Sequence, residues 1–237
     1  MLPLLLAAVC AVPAAAQLGP DQLLQEAVRL QADNDLDLAI SRYREILRRY
    51  PTAPVVPEVN LRLGAALVTQ GSHREAIALL QRLSAPSSAP PLASYWLGRA
   101  HLAAGEPALA VPPLQRYLET QGLQVRQRED ATLLLARALS ESGQREEALA
   151  VLPADPQTAA TKELVAALRL EAGDNAGVLA LVGPQPETAR LSLIAAEAGR
   201  AMDRREEAAE WYRQAATSNE PGIASLAWQR LYQLTPD

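Results

Sequence analysis

Two histidines, His73 and His101, and one cysteine, Cys10, are the only imidazole and thiol groups in the 237 residues of this chain. A zinc site needs three or four nitrogen, sulfur or carboxylate ligands drawn to one point. Two histidines far apart in the sequence would have to recruit carboxylates at unusual spacing, so neither a metal nor any other cofactor is expected. His73 reads as a solvated turn residue and His101 as a half-buried helix residue. The paired acids Glu146-Glu147 and Glu206-Glu207 could divide acid and base roles. Both pairs open a helical segment, however, where carboxylates complement the positive end of the helix dipole. No nucleophile elbow, phosphate loop or dinucleotide fingerprint occurs, and the chain is not expected to be an enzyme. A net charge of −5 opposes nucleic-acid binding, which needs a basic face to displace counterions from phosphates. What remains is recognition chemistry, for which guanidinium groups suit an acidic ligand.

The elements that position these residues follow from three columns. Ala39, Ala76, Ala110, Ala148, Val178 and Ala208 form one, and twelve residues before each stand Ala27, Gly64, Gly98, Ala136, Ala166 and Ala196. Seven residues after the earlier set come Asn34, Gly71, Gly105, Gly143, Gly173 and Asp203. Small residues twelve apart, with a residue between them that tolerates positive φ, describe two antiparallel helices in close approach across a tight turn. Four residues beyond each second-helix anchor, Tyr43, Leu80, Leu114, Leu152, Val182 and Tyr212 plug the seam. Period-2 alternation is absent, so no strand is expected.

The anchor spacings of 37, 34, 38, 30 and 30 residues surround a 34-residue period. Strings such as Leu63-Gly64-Ala65-Ala66-Leu67 and Gly143-Gln144-Arg145-Glu146-Glu147-Ala148 resemble the tetratricopeptide repeat (TPR). The resemblance implies an all-α, right-handed α-solenoid of about six helix-turn-helix repeats, near 20–53, 57–90, 91–122, 129–158, 159–187 and 189–219, in one elongated domain over 20–237. Ile223 to Leu234 is amphipathic and reads as a capping helix. The fifth repeat departs most, with Val178 where Ala is usual and Arg169 and Gly183 where apolar residues are expected. Pro153 and Pro184 shorten two second helices, and Pro112 and Pro113 require the second helix of repeat three to begin late or bend. Helical spacing makes Trp211 and Trp228 core or cap residues.

Leu2 to Ala16 is apolar and ends in Ala14-Ala15-Ala16 before Gln17, a small-x-small cleavage pattern that reads as a secretory signal peptide over residues 1–16. Its fifteen residues are short for a membrane anchor, no Lys or Arg precedes them, and Val9 suits a lipobox at Cys10 poorly. Removal of this segment would leave no cysteine. A periplasmic or secreted location is expected, with membrane contact only indirect.

In tetratricopeptide-repeat proteins the first helices line a concave groove. The resemblance projects Tyr95, Arg99, Leu102, Arg137, Glu141, Glu171 and Arg200 onto that surface, with Glu197 in the same column as Arg99 and Arg137. It implies a non-enzymatic scaffold that holds an extended peptide or partner protein, similar to periplasmic repeat proteins of outer-membrane, peptidoglycan, or secretion and pilus assembly. The chaperone-type carboxylate clamp is absent, because Leu24 and Val28 occupy its positions. Soluble lytic transglycosylases also combine helical repeats with a catalytic Glu-Ser pair, and Glu141-Ser142 occurs here. That pair directly precedes the turn residue Gly143, and no lysozyme-like domain accompanies it. A regulatory subunit of an envelope enzyme and a glycan-binding module using Tyr95, Trp96, Trp211 or Trp228 are the alternatives.

Overall fold

A computed structural model describes residues 18–85, 89–153 and 155–234, which form thirteen α-helices and no strand. The leader reading at residues 1–16, Cys10 included, falls outside the described residues. The chain divides into two compact units, one ending at Ala89 and one beginning at Pro90. The first holds α1 (Pro20–Ala32), α2 (Leu36–Arg49), α3 (Val56–Gln70) and α4 (His73–Ser84). The second holds α5 (Pro91–Ala103), α6 (Pro107–Leu118), α7 (Val125–Glu141), α8 (Arg145–Val151), α9 (Ala159–Glu171), α10 (Asn175–Val182), α11 (Ala189–Ala201), α12 (Arg205–Ala216) and α13 (Pro221–Leu234).

The helices pair as the columns require, and the fold is the all-α helix-turn-helix repeat of tetratricopeptide type. All six turn residues take positive φ, from 58° at Asp203 to 93° at Gly71. In every turn the next residue donates its N–H to the carbonyl five positions back, at 2.8–2.9 Å. The pairs are Asp35 to Leu30, Ser72 to Leu67, Glu106 to His101, Gln144 to Leu139, Asp174 to Arg169 and Arg204 to Gly199. These Schellman bonds satisfy carbonyls that a helix end would leave open, and they reverse the chain within two residues. Asn34 and Asp203 serve where glycine is absent because short polar side chains tolerate the left-handed region.

Close approach is what the turns achieve. Every second-helix anchor is fully buried, and a Cβ added at Gly98 would lie 2.5 Å from Leu114 Cγ, while one at Gly64 would lie 2.6 Å from Leu80 Cδ2. In the first repeat Tyr43 fills the seam and its hydroxyl emerges to donate to Gln31 at 2.7 Å.

Within the second unit the first helices contact one another in succession, α5 with α7, α7 with α9 and α9 with α11, and α13 packs on α11 and α12. Pro153 and Pro184 follow short second helices, α8 with 7 residues and α10 with 8. Of the two expectations for α6, a late start or a bend, the late start is corrected. It begins at Pro107, directly after the turn, and runs through Pro112 and Pro113. The buried face of Ala110, Pro113, Leu114 and Tyr117 holds it helical despite the N–H groups those prolines lack. His101 is buried rather than half-buried, 3% exposed, because Glu106 offers its ring Nδ1 a partner at 2.8 Å. Trp211 joins the core, but Trp228 lies on the outer side of α13 and is 59% exposed.

Gly98→Ala, the smallest possible intrusion into the seam, is expected to lower stability by about 1 to 3 kcal/mol through overpacking against Leu114. Thermal unfolding reads the cost, and an unchanged midpoint would show that this contact does not limit the helix approach.

Candidate functional site

The residues projected onto the first-helix face of the second unit fall into three groups with different electrostatic fates. Tyr95 and Arg99 stand one turn apart on α5, together with Trp96. The Arg99 guanidinium carbon is 4.7 Å from the Trp96 ring centroid and 5.7 Å from that of Tyr95, with Nη1 3.4 Å from the Tyr95 hydroxyl. The Tyr95 ring meets Trp96 edge-on at 5.5 Å and Tyr117 of α6 at 5.1 Å. Its hydroxyl donates to the Asp130 carboxylate on α7. Arg99 is therefore held by ring faces, an attraction of about 0.5 to 2 kcal/mol, and makes no ion pair with a carboxylate among the described residues. Its N–H fork keeps donors for a planar anion.

The second group is charged but internally neutralised. Arg137 Nε lies 2.6 Å from Glu141 Oε1 one turn further along α7. Glu171, at the end of α9, meets Arg145 at the start of α8 at 2.8 Å. Arg200 pairs with Glu197 at 2.9 Å, and the other oxygen of Glu197 lies 3.0 Å from Arg230 Nε on α13. Glu197, by hydrogen bond and by charge, raises the Arg200 guanidinium above its ordinary range. The third group is Leu102 alone. At 8% exposure it packs with Ala110, Leu114 and Leu135 in the core, so it serves the repeat rather than a ligand.

The structure thus brings Tyr95 and Arg99 together and leaves the other projected residues as separate pairs along successive helices. Asp130, Trp96 and Tyr117 complete the cluster. Trp96 was visible as an aromatic neighbour of Tyr95, whereas nothing in the spacing of Asp130 links it to a tyrosine 35 residues earlier. Among the described residues no group of three or more His, Cys, Asp or Glu could hold a metal ion, and no helix is long and apolar enough to cross a membrane.

A tetratricopeptide-repeat family model matches residues 24–90 and 88–124. Among solved structures, YrrB, described as a TPR protein with an unusual peptide-binding site, is similar over 89% of this chain and 92% of its own, at 20% identity and a TM-score of 0.50. MamA is similar over 83% of this chain and 89% of its own, at 19% identity and a TM-score of 0.48. No curated protein matches. The family match together with the YrrB fold supports a tetratricopeptide-repeat protein.

Burial first, and the bond to Asp130 second, push the Tyr95 hydroxyl up from 10.0 to about 12. A folded-state value above the unfolded one contributes stability that is complete below the unfolded pKa and lost as pH rises through the folded one. Denaturant midpoints should therefore fall between about pH 10 and pH 12. Tyr95→Phe should lessen that fall while lowering the neutral-pH midpoint. An identical alkaline loss in both proteins would assign it elsewhere, Tyr212 being similarly raised to about 12.

Proposed function

We propose that this protein is a non-enzymatic interaction scaffold of the bacterial cell envelope that holds an extended acidic peptide, or such a segment of a partner protein, along its first helices. The tetratricopeptide-repeat fold is one that serves protein–protein interaction, and the peptide-binding site named for YrrB supports the peptide reading. The observation that carries the choice of an acidic ligand is Arg99. It is oriented by Trp96 and Tyr95 and is not satisfied by a carboxylate among the described residues. Arg137 and Arg200 already have partners, so a ligand would have to displace Glu141 or Glu197 to reach them.

Fluorescence anisotropy with labelled peptides of fixed length, with and without Asp or Glu, tests this reading on the purified chain. Arg99→Glu should weaken binding of the acidic peptides by roughly tenfold or more, as loss of a charge-assisted pair does. Arg137→Glu should cost less. Equal affinity of the original chain and Arg99→Glu would move recognition to another surface.

Residues 1–16 support the envelope location. On expression in a bacterial host, the exported form should begin at Gln17 by mass spectrometry, and recovery of an uncleaved cytoplasmic chain would overturn that part of the proposal.

A further inference from the structure

The cluster around Arg99 also bears on how much charge a ligand can bring to it, an inference that rests on reading Arg99 as the group that meets an acidic side chain. A guanidinium in the plane of a carboxylate answers both oxygens with parallel N–H bonds and balances its single charge. A phosphoryl group on a side chain carries close to two charges at neutral pH, and such groups are ordinarily read by arginines acting together. What stands around Arg99 is different. Its near neighbours are the rings of Trp96 and Tyr95, and the charged group beyond them is a carboxylate.

The Tyr95 hydroxyl lies 3.4 Å from Arg99 Nη1 and donates its one proton to Asp130 on α7. A single hydroxyl thus separates cation from anion. That O–H is committed to Asp130, so it is not a donor for the ligand. Asp130 is exposed and is held toward α5 by the same bond, so a second negative charge beside Arg99 would meet a like charge. The arginines further along do not relieve this. Arg137 is held by Glu141 and Arg200 by Glu197, while Arg128 donates to the Leu118 carbonyl. Arg126, one turn before Asp130, is exposed, and Asp130 is bonded to Tyr95 rather than to it. We propose that Asp130 sets the specificity of the site, confining it to the singly charged carboxylate of an Asp or Glu side chain and disfavouring a phosphorylated one.

Three labelled peptides, identical except for Glu, phosphoserine or Gln at one position, test this by fluorescence anisotropy on the full chain at neutral pH and fixed ionic strength. The Glu peptide should bind at least as tightly as the phosphoserine peptide. Asp130→Asn keeps an acceptor for Tyr95 and removes only the charge. It should strengthen the Glu peptide roughly threefold and the phosphoserine peptide roughly tenfold, as removal of a like charge about 8 Å away near the surface does. The Gln peptide should not change. Equal gains for both charged peptides, or an original chain that prefers phosphoserine, overturn the proposal. If that preference disappears in Arg126→Gln, the second charge belongs to Arg126. Should the Gln peptide bind as well as the Glu peptide, the acidic-peptide reading fails, and free ions still decide the charge limit. Acetate and sulfate, titrated while the Arg99 Nε–H resonance is followed by NMR, should bind the original chain with acetate at least equal to sulfate. Asp130→Asn should shift that balance toward sulfate. The same balance in both proteins overturns the proposal.

Discussion

The seating of a second-helix side chain on the nearly bare backbone of a first helix is the contact on which the other features depend. At Gly64 and Gly98 there is no room even for a methyl group, and elsewhere alanine sits fully buried in the same column. Such an approach is possible only if the chain reverses at once, which is why each turn uses the left-handed region and closes with the same five-back hydrogen bond. The regular spacing of first helices in the second unit follows, and with it the repeated presentation of the same helix positions on one side.

Those parts of the fold were legible in the sequence because they rest on steep physical preferences. Positive φ narrows the choice to Gly, Asn or Asp, and a tight seam narrows it to Ala or Gly, so both leave columns. Proline was a weaker guide. Pro153 and Pro184 ended helices as expected, but Pro112 and Pro113 did not delay α6, since Leu114 and Tyr117 gain enough by burial to outweigh missing hydrogen bonds. The candidate site was only partly readable. Offsets identified positions, but could not show that Leu102 turns into the core or that Asp130 accepts from Tyr95, because such contacts depend on how neighbouring repeats settle. The outward face of α13 escaped for a related reason. An amphipathic run reads as a cap whichever way its aromatic side points.

The charged residues show a division of labour. Most pairs on the second unit are exposed or local, such as Arg137 with Glu141 and Arg213 with Glu210, and pairs of that kind add little stability. Arg99 differs from these pairs in kind, since its anchor is aromatic and no carboxylate among the described residues pairs with it.

The short second helices α8 and α10 have a bearing on how the second unit comes apart. Each contributes a single residue, Ala148 or Val178, to the set of fully enclosed side chains, whereas α12 contributes five. The core likewise changes hands along α9: Val165 and Leu168 belong with the preceding helices and Ala166 with the following ones. In a linear array each repeat is stabilised mainly by its neighbours, so a thin link weakens the coupling between what lies on either side. Repeats four and five therefore lean on the first helices around them, α7, α9 and α11, more than the repeat that ends in α12 does.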